Sequence, residues 1–278
     1  MAGAEGSGVT FAVLSDQADA ASTDAERIYG ASLRFPDAAT PYVFANFVQT
    51  IDGVVSLGLT DGSDASAISG HLTADRFLMA MLRAAADVIV IGARTLHDSA
   101  GHQWIPEALV PEYAAEIAAY RRAVTGRTAP APFVVVSSTG SLADHVALRK
   151  PATPVTVLTT NEGRRNVERL GVDVRVVVAG DHGALAGAEI VRVLRQQFDA
   201  RRVLCEGGPT LLGTLLGDGS VHELFLTVAP SLAGHDSSHP RLNLIEGWSA
   251  DPRALRSADL LSVRGSDGYL FLRYALHR

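Results

Sequence analysis

The chain has 278 residues, 47% hydrophobic and 19% charged, which is the composition of a folded globular protein and not of a disordered one. Its formal charge of -6 offers no general attraction to a phosphate backbone, so nucleic-acid binding is not expected. The single cysteine, Cys205, excludes an internal disulfide and any site needing two cysteine ligands; no apolar run reaches the roughly eighteen residues of a membrane span.

Residues 1–9 lack the basic start and apolar stretch of a secretory signal, so a cytoplasmic protein is expected. Residues 1–40 are small and mildly acidic and read as an N-terminal extension, with a short strand over 11–14 and a helix near 24–33. Residues 42–48 form an almost unbroken apolar run, the mark of a strand covered on both faces. Asp52 and Gly53 then turn the chain. Glycines, serines and aspartates make 58–70 loop-like. Behind Ser69 or Thr73 as N-cap, Phe77, Leu78, Met81, Leu82 and Ala85 recur at helical spacing. A β-branched strand over 87–91 leads to a turn or helix start at Gly92; 98–111 are irregular, and 111–124 read as an alanine-rich helix. Strands over 133–136, 155–158, 172–178, 202–205 and 223–228 then alternate with helices over 163–170, 185–198 and 209–216. Such alternation predicts a largely parallel sheet wrapped by helices. Residues 259–263 and 269–274 flank a Gly/Asp/Ser turn, so an antiparallel hairpin closes the chain. No repeat or linker divides residues 41–278, which are expected to form one domain.

The strongest chemical signal follows the 202–205 strand, which runs through Glu206 into Gly207 and Gly208, with Pro209 placed to begin a helix. Such a turn lets a phosphate approach the backbone, and the helix start offers free N–H groups and a positive dipole end. It serves equally as a tight strand–helix connection. Gly92, Ala93, Arg94 and Thr95 repeat the arrangement, with Arg94 either paired to a phosphate or standing on the surface. Ser137 and Ser138 end a third strand. Parallel strands open their carboxyl ends on one crevice, so the three turns together point to one extended dinucleotide site.

No G-x-G-x-x-G follows the first strand, and no P-loop, nucleophile elbow or zinc-protease motif occurs. The nine histidines, His71, His97, His102, His222 and His235 among them, show no ligand spacing and read as surface or capping residues. No metal is expected. Asp52 reads mainly as a turn residue, whereas Glu206 suits proton transfer or pairing with an arginine equally well.

Residues 46–53 (NFVQTIDG), 82–95 (LRAAADVIVIGART), 206–213 (EGGPTLLG) and 223–230 (ELFLTVAP) occur in one order. Together they resemble the reductase domain of the riboflavin-biosynthesis deaminase/reductase family, related to dihydrofolate reductase. The likeness covers about residues 40–278 and is similar to the stand-alone actinobacterial pyrimidine reductase branch, which has no deaminase domain. The lone cysteine agrees, because a zinc deaminase needs several metal ligands.

The resemblance implies a dihydrofolate-reductase-like three-layer α/β fold with a mostly parallel central sheet, and a homodimer. It implies NADPH as cofactor and a small-molecule substrate, a ribosylaminopyrimidine phosphate whose ring-opened sugar is reduced to ribityl. By position, Gly207, Gly208, Pro209, Thr210, Leu211, Leu212, Gly213 and Thr214 would hold the pyrophosphate. Gly92, Arg94, Thr95, Ser99, Ser137 and Ser138 would line the NADPH site, with Gln49, Thr50 and Ala67 toward the nicotinamide. Arg83, Glu206 and Asp52 would contact the substrate, the two carboxylates being the catalytic pair.

Two departures bear on the substrate. Val54 stands where the family has a lysine after Asp-Gly, and residues 98–104 (DSAGHQW) lack its Asp-Asp-Pro and downstream arginine. The segments at Gly92 and Ser137 are also similar to those of dihydrofolate reductase. A folate or pteridine substrate is therefore the second expectation, and a nucleotide-binding protein without turnover the third.

Overall fold

A computed structural model of the chain describes residues 8–59 and 64–277. In chain order come β1 (Ala12–Asp16), α1 (Asp24–Tyr29), β2 (Tyr42–Thr50), β3 (Val54–Ser56), α2 (Asp64–Ser69), α3 (Thr73–Ala85) and β4 (Val88–Gly92). Next are α4 (Ala93–His97), α5 (Pro106–Leu109), a 3-10 turn (Pro111–Tyr113), α6 (Ala114–Thr125), β5 (Phe133–Val136), α7 (Val146–Arg149) and β6 (Val155–Thr159). They lead to α8 (Asn161–Arg169), β7 (Arg175–Val178), α9 (Gly187–Phe198), β8 (Arg202–Cys205), α10 (Pro209–Gly217), β9 (Glu223–Ala229) and β10 (Leu242–Asn243). The hairpin β11 (Ala258–Ser266) and β12 (Tyr269–Leu276) ends the chain's regular structure.

Alternation along the strands creates two cores. Val43 and Ala45 of β2 and Val88 and Val90 of β4 join the cluster under α9 and α10. Phe44, Ile89 and Ile91 between them join the opposite cluster, under α3 and α6. A strand apolar on both faces belongs in the middle of a three-layer sandwich, which is why the sequence shows runs rather than alternation.

The main sheet has ten strands in the order β1-β11-β12-β9-β2-β8-β4-β5-β6-β7. From β9 to β7 every neighbouring pair is parallel, and β12, β11 and β1 add an antiparallel edge. After β4 the chain moves outward through β5 and β6 to β7, then returns through α9 to insert β8 between β2 and β4. Strand order reverses there, and a reversal leaves a crevice beyond the carboxyl ends of the strands.

The described part of the N-terminal segment, residues 8–40, is tied into this sheet. β1 pairs with β11, and the buried Arg264 of β11 donates to the Tyr29 carbonyl at 2.8 Å, to the Asp16 carboxylate and to Ser262. Glu26 in α1 accepts from the Ser22, Thr23 and Leu33 backbone N–H groups and from Arg34. Although burial alone would raise it, these donors hold its carboxyl down at about 2.

Where the expected elements differ, long-range contacts decide. The segment 58–70 was expected as loop; its residues 64–69 form α2, while 60–63 lie outside the described residues. β3 exists because it pairs with β10, almost 190 residues on in sequence, as Leu242 aligns with Ser56. Thr73 is the first residue of α3 rather than its cap, and Leu72 at the N-cap supplies no side-chain bond. Only 175–178 of the expected 172–178 strand finds a partner, at the edge of the sheet. The irregular 98–111 contains α5, and the helix expected from 111 starts at Ala114 after the 3-10 turn.

Candidate active site

A cavity of about 520 Å³ opens at the strand-order reversal. Its floor is Asn46, Phe47 and Val48 of β2 and Glu206 at the end of β8; its walls are α3, the loop 98–104 and the starts of α4 and α10.

Three side chains lock together at its deep end. Arg83, in the last turn of α3, donates from Nε to both Glu206 oxygens at 2.9 Å and from Nη2 to Oε2 at 2.7 Å. The pair is buried, with side-chain exposures of 3% and 5%. Arg83 Nη1 also lies 2.9 Å from His102 Nε2. Because a guanidinium has no acceptor, His102 must accept there, which assigns it as the neutral Nδ1–H tautomer. Burial, the Arg83 charge and His145 push His102 down to about 3, in agreement with that tautomer.

The loop that carries His102 is pinned by aromatic packing. Trp104 stacks on Phe133 at 4.3 Å between ring centroids and meets the His102 ring edge-on at 4.8 Å. His145 accepts from the Ala147 N–H through Nδ1, so its Nε2–H donates to the Ser99 carbonyl at 2.8 Å. This short segment of polar residues is thus held rigidly over the cavity.

A second carboxyl faces the same space. Asp75, in the first turn of α3, is 8% exposed and lines the cavity. Burial, with the charge of Glu206 adding to it, pushes its carboxyl up to about 6. Asp98, the other acidic residue of the wall, is paired with Arg94 and His97.

Asp75 and His102 make opposite contributions to stability as pH changes. A raised carboxyl contributes stability that is complete below about 4 and is lost as pH rises through about 6. A depressed histidine contributes stability present above its ordinary 6.5 and lost as pH falls toward about 3. Thermal unfolding followed from pH 4 to 7 is therefore expected to show Asp75→Asn gaining stability relative to wild type as pH rises. His102→Gln is expected to lose less than wild type as pH falls. Parallel curves for all three proteins would contradict both assignments.

The sequence pattern of the RibD C-terminal domain matches residues 41–251, three quarters of the chain. The chain belongs to the RibD C-terminal domain family. No curated protein matches it. Among solved structures, a pyrimidine reductase-like protein of Corynebacterium diphtheriae is similar at 20% identity and a TM-score of 0.65, over 92% of this chain and 100% of that one. RibD of Acinetobacter baumannii is similar at 20% identity and a TM-score of 0.61, over 86% of this chain; the match spans only 59% of the RibD chain. The yeast riboflavin biosynthesis reductase Rib7 follows at 15% identity and a TM-score of 0.50, over 88% of this chain and 93% of that one. At these identities the likenesses establish the fold.

Within this RibD C-terminal domain, the expected residues divide into groups. Arg83 and Glu206 meet in the cavity, and Arg94, Thr95, Ser99, Gly208 and Pro209 line it. Gly92 caps α4 beside them. Gly207 packs against β4 so closely that a Cβ would lie 2.3 Å from Ile91 Cα, and Gly208 has φ +63°. The nine-residue α10 starts here with no side-chain cap, so its first N–H groups, that of Thr210 included, are open to an anion.

Other expected residues stand apart. Leu211 and Leu212 are core side chains, Gly213 lies under the Glu246 backbone, and the Thr214 hydroxyl donates to the Thr210 carbonyl. Ser137 is buried, and Ser138 Oγ accepts from the Leu185 N–H. Gln49 and the exposed Ala67 are not among the cavity-lining residues.

Asp52 is not among the residues that line the cavity, and its carboxylate accepts from Thr50 Oγ1 at 2.6 Å, the Ala233 N–H at 3.1 Å and the Gly234 N–H at 2.7 Å. Those bonds hold it down at about 2 and commit both oxygens to joining two loops. The structure does not bring Asp52 or its partner Thr50 together with Arg83 and Glu206. His102 is the converse: expected at the surface, it is a wall of the site.

Asp75 was missed, although a signal existed. It precedes Met79 and Arg83 at four-residue steps, which puts a carboxyl on the same helix face as the arginine. Nothing local distinguishes His102, whose role depends on Arg83.

Proposed function

We propose that the protein is an NADPH-dependent reductase of 5-amino-6-(5-phosphoribosylamino)uracil, converting the ring-opened ribosylamine to a ribitylamine, and that it acts as a cytoplasmic homodimer. The observation that carries this reading is the continuity of one cavity from an uncapped helix start at Gly208 to the buried Arg83–Glu206–His102 cluster. Its volume of about 520 Å³ falls within the range typical of small-ligand sites. Cys205 is buried with its thiol pushed up to about 12, so it takes no part in the chemistry.

Arg83 has five N–H groups. Nε and one on Nη2 serve Glu206, one on Nη1 serves His102, and Met79 Sδ lies 3.3 Å from Nη2. The second N–H on Nη1 remains to donate to a carbonyl of the pyrimidine. Glu206 orients that guanidinium and neutralises it, so the deep end accepts a neutral heterocycle without an unpaired buried charge. The start of α10, Thr95 and Arg94 would hold the dinucleotide phosphates. NADPH bound there would supply the hydride. Trp104, stacked on Phe133, keeps water from one side of the cavity.

The test is oxidation of NADPH with this pyrimidine and with dihydrofolate as alternative acceptors. Oxidation with the pyrimidine alone is the expected result. Oxidation with dihydrofolate alone would move the protein to pteridine reduction, and binding without oxidation would leave it a nucleotide-binding protein.

A further inference from the structure

Among the described residues that line the cavity, Asp75 is the one carboxyl without an ion pair. Glu206 is held by Arg83 and Asp98 by Arg94 and His97, whereas among the described residues Asp75 makes no ion pair. It is more than nine-tenths buried and lines the cavity. The Thr227 hydroxyl of β9 is the one hydrogen-bonding group that draws its carboxyl back down, and burial outweighs it. The charged groups that act on it are Glu206, at the end of β8, and Arg76, the next residue of its own helix. His71, from the turn before α3, lines the same space. Burying a carboxyl with no cation against it and a single hydroxyl to serve it is costly in its ionised form and far less so as the neutral acid.

We propose that Asp75 is the proton donor of the reduction. The inference rests on the reading of the site as a reductase of a ring-opened ribosylamine. In its imine form that substrate presents a C=N bond, and a reduced nicotinamide dinucleotide is the hydride source, becoming the oxidised nicotinamide. As hydride bonds to the carbon, the C=N π pair moves to nitrogen. Nitrogen then takes the proton from Asp75, giving the secondary amine and a carboxylate that solvent reprotonates. Glu206 is not available for this task, since both its oxygens are occupied as acceptors by Arg83. Asp75 has no such partner and is kept protonated to about pH 6.

The test combines turnover with a direct view of the carboxyl. Asp75→Asn keeps the shape of the side chain and is expected to lower kcat by about 10²–10⁴-fold, the usual contribution of a positioned acid, with the Kd for NADPH unchanged. The wild-type kcat is expected to fall as pH rises above about 6, and Asp75→Asn is expected to lack that arm. In protein labelled with carboxyl-13C aspartate, one resonance should titrate near 6 without any substrate and be missing from the variant. Asp75→Ser provides the same spectral assignment if the asparagine variant fails to fold. Wild-type turnover or an intact pH arm in Asp75→Asn would overturn the assignment of Asp75 alone. A wild type inert toward the pyrimidine would overturn the substrate reading, and an Asp75 resonance already ionised at pH 5 would overturn the proton donor whatever the substrate.

Discussion

Arg83→Leu is expected to abolish turnover and to cost about 3–5 kcal/mol of stability, the usual consequence of leaving one member of a buried ion pair without its partner. Glu206 would remain a buried carboxylate stripped of three donated hydrogen bonds, and His102 would lose the group it accepts from. For a protein of this size, that loss lowers Tm by roughly 6 °C or more. The double change Arg83→Met with Glu206→Leu separates structure from function. Replacing both charges by apolar groups is often neutral or stabilising, so Tm is expected to recover while turnover stays absent. Recovery of turnover in the double variant would show that the pair is only a structural strut.

Gly207→Ala is expected to remove NADPH binding. The added Cβ would meet Ile91 Cα at 2.3 Å and the Gly92 N at 2.7 Å, both backbone atoms at the end of β4. They cannot rotate away, so the end of β4 must shift, taking Arg94 and Thr95 from the start of α10. Overpacking of this kind costs about 1–3 kcal/mol. The measurement is the thermal shift on adding NADPH, which for wild type at a hundred times Kd corresponds to about 2.7 kcal/mol. The variant is expected to show no shift at the same concentration. Gly208→Ala is the milder control: its φ of +63° strains an alanine, but the nearest atom is the Thr95 hydroxyl at 3.1 Å. An unchanged shift in Gly207→Ala would place the cofactor elsewhere.

Much of this was readable in the residues because the middle of the sheet is apolar on both faces. Val88, Ile89, Val90 and Ile91 announce a central strand without reference to any partner. The glycine turn after Glu206 was equally visible, since a close approach of two backbones tolerates no side chain. The illegible parts depend on distant partners. β3 needs β10, and β1 needs β11. The partners of Asp52 are illegible for the same reason: its oxygens accept from Ala233 and Gly234, about 180 residues on in sequence, and a local pattern cannot carry that information. His102 escaped for the same reason: an ordinary histidine in a polar loop becomes part of the site only when Trp104 anchors the loop and Arg83 reaches it.

The most direct test of the central claim follows the hydrogen itself. Protein incubated with NADPH deuterated at C4 of the nicotinamide and with 5-amino-6-(5-phosphoribosylamino)uracil is expected to yield the ribitylamine with deuterium on the former C1 carbon of the sugar, as read by mass spectrometry. Product formed without deuterium from either face of the nicotinamide, or no ribitylamine at all, would contradict the account.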